Sequence, residues 1–259
     1  MTNAVDIAVR AIDDMKSSTG LFKLPGGYLD EKGILHDEIQ IREMTGAEED
    51  ILAGKTDSIT LKLNAIMAGC LVRIGSITDP GEIAKVINLL PSGDRIYLLV
   101  LIRMVTLGDD FAFDEKCPEC GDKATYNIFL SSLEVTPMKD KNKREFEFTA
   151  PSGKKIIIKT LLGKDEGLAS KYGEEYPNDV VSAIMLARVV SIDGVPATVE
   201  SLKKLGWKDR SFARKSIESI DGGVELGVTN ECKKCNFEFT KDLQIGSQSF
   251  FFPSETLNS

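Results

Sequence analysis

Histidine occurs once in the 259 residues, and so does tryptophan. Any Ser–His or Cys–His nucleophile pair would have to use His36. That residue sits between Leu35 and Asp37 at the edge of a strand-like segment, with no partner in the sequence, and reads as a surface histidine. Long apolar runs are missing: nothing approaches the ~20 residues of a membrane span. At the N-terminus, Val5, Ala8, Val9, Ile12 and Met15 recur at helical spacing with Asp6, Asp13 and Asp14 between them. The basic start and unbroken apolar stretch of a secretory signal are both lacking, so the chain is expected to work in the cytosol and away from membranes.

Positive charge is in short supply, with 32 Lys and Arg against 40 Asp and Glu and a net charge of −8. Direct nucleic-acid binding needs a basic surface that displaces counterions, and this composition argues against it. The local run Lys139, Lys141, Lys143, Arg144 reads as a solvated loop. Phosphate-binding glycine loops, dinucleotide fingerprints, nucleophile elbows and His-Glu-x-x-His helices are all absent. Glu48-Glu49-Asp50 and Glu174-Glu175 read as solvated helix ends, and no carboxylate pair stands out. The chain is expected not to be an enzyme.

What is present is a cysteine pattern. Cys117-Pro-Glu-Cys120-Gly121 and Cys232-Lys-Lys-Cys235-Asn236 are two Cys-x-x-Cys knuckles, each closed by a residue that tolerates positive φ. A tight turn after the first cysteine aims backbone N–H groups at sulfur and brings both sulfurs to one metal. Two knuckles supply four soft thiolates, which suits one tetrahedral zinc. A redox pair would open a helix, and neither motif does; disulfides are disfavoured in the cytosol. With Cys117, Cys120, Cys232 and Cys235 filling every position, no place is left for a catalytic water, so the zinc is expected to be structural. Cys70 falls on the apolar helical face of Leu63, Ile66 and Met67, as a buried free thiol.

Between the knuckles lie 111 residues, 121 to 231, too many for a loop. The expected fold is α+β: a mainly helical N-terminal part over residues 1–116, a discontinuous four-cysteine zinc ribbon with the C-terminal tail over 117–130 and 231–259, and an α+β insertion over 131–230. In the first part, Glu38–Arg42 alternates like a strand, and Thr45-Gly-Ala-Glu48 is a capping box for a helix ending near Gly54. A helix is expected over Ser58–Ile74, and another runs from the Asp79-Pro80 start to Leu90. Ser92 is expected to cap a helix apolar nearly all round, ending at Gly108, which belongs in a core or against a partner. Phe111–Phe113 leads as a strand into the first knuckle; strands Ala124–Leu130 and Phe237–Leu243 follow the two knuckles. In the insertion, Glu145–Phe148 and Lys155–Leu161 read as a hairpin, followed by helices near 164–173, 178–190, 199–205 and 208–220. Ile192-Asp-Gly-Val195 reads as a tight turn. In the tail, Phe250, Phe251 and Phe252 suggest either a core-closing element or a partner-binding anchor.

The chain resembles the base-plate hub and tail-assembly proteins of T-even-type contractile bacteriophages. The resemblance runs through Leu24-Pro25-Gly26-Gly27, Ile41–Gly46, Gly93-Asp94-Arg95-Ile96-Tyr97-Leu98-Leu99, Leu101-Ile102-Arg103, Phe113 and Cys117–Cys120. It covers roughly the first half of the chain and not the insertion or the aromatic tail. It implies a non-enzymatic role in the tail base plate, as part of a multi-subunit assembly with other phage tail proteins, in the host cytoplasm during assembly. It does not decide between a virion component and a transient assembly factor. The alternative from the residues alone is a zinc-ribbon adaptor in transcription or nucleic-acid metabolism, contacting protein rather than phosphate.

Overall fold

The computed structural model describes residues 19–55 and 58–251, so the apolar N-terminal stretch and Phe252 lie outside the described residues. Among the described residues the chain forms nine helices and several small antiparallel sheets. This is the expected mixture of α and β, but with more strand in the N-terminal part than the sequence pattern implies.

The first sheet has the order β1 (Thr19–Leu29), β2 (Leu35–Arg42), β3 (Leu71–Ile74). Only part of β2 was expected. β1 is hidden in the sequence by Leu24-Pro25-Gly26-Gly27, which forms a bulge: the register with β2 slips between Lys23 and Tyr28. Proline costs nothing at a bulge because no ladder donor is needed there. Gly27 has φ 77°, and a Cβ on it would come within 2.7 Å of Asp37 Cβ. The helix expected over Ser58–Ile74 ends at Cys70. Leu71 and Ile74, three apart, suit a helix face, but the backbone of Arg73 and Ile74 pairs instead with Gln40 and Ile39. His36 is also not at the surface. It is buried against Gly75 and stacked on Tyr28, with Nε2 3.3 Å from Asp30.

The helices follow their caps. α1 (Gly46–Ala53) carries the expected capping box between Thr45 and Glu48. The Glu48 carboxylate also receives both Arg42 Nη atoms, at 2.8 and 3.1 Å, and is buried. The Arg42 guanidinium holds the Glu48 carboxyl down at about 2. A depressed folded pKa stabilises above the unfolded value and is lost as pH falls toward 2. Glu48→Gln should therefore remove about 1.5–3 kcal/mol at neutral pH, as expected for hydrogen bonds to a charged group, and flatten the acid limb below pH ~4.5. Urea midpoints at neutral and acidic pH check this.

After α2 (Ile59–Cys70), α3 (Pro80–Leu89) begins at the Asp79 N-cap with Pro80 as its first residue. α4 (Ser92–Leu107) is the core of the molecule. Ser92 is its first residue rather than its cap, with Pro91 before it. Leu98 to Ile102 are buried among Leu24, Ile39, Ile66, Ile74, Ile83, Phe111 and the C-terminal Phe250 and Phe251. Three charged residues on α4 are buried and tie it to three distant parts of the chain. Asp94 accepts from the Gly26 and Gly27 amides of the β1 bulge. Arg95 pairs with Glu166 in the insertion at 2.8 Å. Arg103 donates to the Phe250 carbonyl at 3.1 Å.

β4 (Asp110–Lys116) and β5 (Lys123–Phe129) form a hairpin, and β6 (Val135–Thr136) opens the insertion by pairing with β11 (Gly223–Val224), which closes it. Beside this neck a Cβ on Gly93 would lie 1.9 Å from the Gly222 carbonyl oxygen, so only glycine lets α4 approach so closely. The insertion has its own sheet, β7 (Glu145–Thr149), β8 (Lys155–Lys159), β9 (Val189–Ile192) and β10 (Val195–Pro196), in the order β10-β9-β8-β7. Its helices are α5 (Leu168–Glu175), α6 (Val180–Leu186), α7 (Val199–Lys203) and α8 (Trp207–Ile220). The helix expected to reach residue 190 stops at Leu186 because Val189–Ile192 is taken up as β9 alongside β8. Asp193 and Gly194, both at positive φ, make the expected tight turn into β10. Phe146, Ile156, Ile158, Met185, Leu202 and Ala213 form a second core, separate from that around α4.

The basic run is not a solvated loop throughout. Lys141 Nζ bonds the Leu24 carbonyl and Asp37, both at 2.9 Å, and Arg144 Nη2 bonds the Gly27 carbonyl at 2.7 Å. The polar groups freed by the β1 bulge are what call for these two cations.

Candidate metal centre

Each Cys-x-x-Cys motif is the tip of a hairpin. Lys116 pairs with Lys123 across the first knuckle, and Glu231 with Glu238 across the second, where β12 (Gly227–Glu231) turns into β13 (Glu238–Asp242). The two turns have one hydrogen-bond pattern. The Cys117 amide donates to the Asp122 carbonyl and the Gly121 amide to the Cys117 carbonyl, at 2.8 and 3.0 Å. The Cys232 amide donates to Phe237 and the Asn236 amide to Cys232, at 3.0 and 2.9 Å. Gly121 at φ 73° and Asn236 at φ 57° supply the left-handed residue that such a turn needs. This is the geometry that the residue types after each knuckle imply.

The hairpins lock together beside the sulfurs. Tyr126 meets Phe239 edge-on at 5.7 Å, Lys233 reaches the Thr125 carbonyl at 3.0 Å, and Lys241 pairs with Glu115 at 2.8 Å. The four sulfurs of Cys117, Cys120, Cys232 and Cys235 then lie within 4.8 Å of one another. Cys117 Sγ is 3.7 Å from Cys235 Sγ, and Cys120 Sγ is 3.6 Å from Cys232 Sγ. Disulfides would need about 2.05 Å, so the thiols are free. A tetrahedron of thiolates about 2.3 Å from a central ion has edges of roughly 3.8 Å, close to both separations.

Electrostatics point the same way. The Lys234 and Cys235 amides aim at Cys232 Sγ and hold its thiol down at about 7. At Cys235 the Phe237 amide pulls the same way, but desolvation and the neighbouring sulfurs outweigh it and push that thiol up to about 12. Four sulfurs this close cannot all ionise without a cation between them; with one, the amides stabilise the thiolate set. The arrangement could hold one metal ion. Cys117 and Cys232 are buried, while Cys120 and Cys235 are exposed.

The other sequence-derived candidates fall elsewhere. Phe250 and Phe251 are not presented to a partner. They sit in α9 (Gln248–Phe251) at 0% and 2% exposure, with Phe250 packed on Phe111 at 5.2 Å. The anchor expectation is thus corrected to core closure for these two rings. Phe250→Leu should lower stability by about 1–2 kcal/mol, measured by denaturant unfolding, as for a core change that removes part of a buried ring and leaves a small cavity. Cys70 is buried as expected, and burial pushes its thiol up to about 12. Asp94, Arg95 and Arg103 were missed as organising residues. Their signal was three charges on a helix otherwise apolar nearly all round.

A protein-family model described as T4 bacteriophage base plate protein matches residues 23–252. No curated protein and no solved structure matches the chain.

Proposed function

We propose, from the premise that this chain belongs to the T4 bacteriophage base plate protein family, that it is a non-enzymatic structural or assembly component binding other tail and hub proteins. The observation that carries this reading is the extent of the match, which runs from the β1 strand through both knuckles and the insertion to the aromatic tail. The resemblance seen in the sequence stopped at the first knuckle. Such a protein acts in the host cytoplasm while tails are built, and a virion component would then remain in the base plate.

Zinc is the ion for the four-cysteine centre. Four thiolates without an open position suit zinc and leave no site for substrate or water. Cys117, Cys120, Cys232 and Cys235 would hold it, and it supplies charge neutralisation and a permanent clip between chain segments over a hundred residues apart. On this reading residues 117–130 and 231–259 form one zinc ribbon with the tail, residues 1–116 the α4-centred unit, and residues 131–230 the inserted unit.

Quantitative mass spectrometry of purified virions, compared with base-plate intermediates from infected cells, tests the role. A fixed copy number in virions makes the chain a base-plate component. Presence in intermediates and loss from virions makes it an assembly factor. Absence from both would overturn the proposal.

A further inference from the structure

The only tryptophan, Trp207, stands at the start of α8 with 78% of its surface exposed. Arg214, two turns on, holds its guanidinium 5.6 Å from the indole centroid. Lys208 is exposed beside them, and neither cation is ion-paired among the described residues. Isolated exposed aliphatics are ordinary, but an indole left in water and dressed by arginine is what interface centres are enriched in.

The same chain carries a complementary hole. A cleft of about 260 Å³ opens between the end of β5 and β12, with Ile128, Leu133 and Val228 in its wall and Glu134 and Glu225 on it. Both glutamates are exposed and form no ion pair among the described residues; Glu225 accepts only from the nearby Gly227 amide, at 3.1 Å.

We propose that the Trp207 face seats a second copy of this chain. Trp207 of one copy enters the Ile128–Leu133–Val228 cleft of the next, and Arg214 and Lys208 meet Glu134 and Glu225. Knob and cleft are different patches, so the contact is head-to-tail and repeats into a ring or a filament instead of ending at a symmetric pair. The inference is independent of the base-plate role.

The single tryptophan reports on its own burial. Sedimentation velocity of the full chain over a wide concentration range should show growing species, with Trp207 emission shifting to the blue and escaping acrylamide quenching as they form. Added salt should weaken the association. Trp207→Ala should weaken it roughly 30-fold or more, as for a hot-spot residue. Arg214→Glu and Glu225→Lys should each block self-association with the circular dichroism spectrum unchanged. Mixing the two variants should restore association into alternating species, because the native knob of one meets the native cleft of the other and the two reversed charges attract in the remaining contact. A chain that stays monomeric with a quenchable tryptophan would overturn the proposal. So would association indifferent to Trp207→Ala, or two folded charge variants that fail to pair when mixed.

Discussion

Cys120→Ser combined with Cys235→Ser is expected to abolish metal binding and to cost more stability than any single core substitution. Elemental mass spectrometry should fall from about one zinc per chain to none. These are the cysteines to replace because both are exposed; serine at buried Cys117 or Cys232 would add a packing and desolvation penalty unrelated to the metal. The centre closes a loop of 111 residues, 121 to 231. A cross-link around a loop of about 100 residues stabilises by roughly 5 kcal/mol in the chain-entropy account. Small zinc peptides show apparent binding energies of roughly 10–16 kcal/mol, but they have no other core. A loss of about 5 kcal/mol is therefore expected in this chain, read as a lowered urea midpoint. Hydrogen exchange should rise first in the hairpins β4–β5 and β12–β13. The insertion, with Ile156, Ile158 and Leu202 fully buried in its own cluster, should keep its protection. An unchanged midpoint in the metal-free double variant would mean that the hairpins hold one another through Tyr126, Phe239 and Lys241 without the ion.

The parts of this fold that could be read from sequence are those set by local chemistry. A capping box, an Asp-Pro helix start and Asp-Gly at a hairpin turn act within four residues, and each stands where the residues imply. The cysteine spacing is of the same kind: the turn is local, and only the meeting of the two turns is not. What escaped reading depends on distant partners. In sequence, β3 and β9 read as the ends of helices because Leu71/Ile74 and the Val189-Val190 pair fit either period; pairing with β2 and β8 decides the matter. β1 was hidden by a Pro-Gly-Gly bulge whose freed polar groups are met by Asp94, Lys141 and Arg144, residues 67 to 117 positions away. Phe250 and Phe251 could have been core or anchor on sequence alone, and the choice depends on whether Phe111 and Arg103 are there to receive them.

Asp94→Ala is expected to have the next largest effect, about 3–5 kcal/mol, because it takes the acceptor from a closed polar site. The carboxylate is fully buried and receives the Gly26 amide at 2.7 Å on one oxygen and the Gly27 amide on the other. Alanine leaves both donors unmet at about 1–3 kcal/mol each, and removes a buried negative charge that attracts Arg144. Asp94→Asn should fall between, since one amide still finds a carbonyl oxygen while the other faces an NH2 group. The pH dependence separates this site from ordinary packing. Burial pushes the Asp94 carboxyl up to about 6, although the Gly26 and Gly27 amides and the Arg144 and Lys141 charges oppose it. The folded state then binds more protons than the unfolded one between pH ~3.9 and ~6, so this group's contribution falls as pH rises through that window and is level above it. Glu48, held down by Arg42, does the opposite at lower pH. The stability gap between the natural chain and Asp94→Asn should therefore narrow from pH 4 to pH 6, as followed by urea unfolding at each pH. A gap that widens instead would mean that the two amides outweigh burial and that Asp94 works as a permanent anion under the β1 bulge.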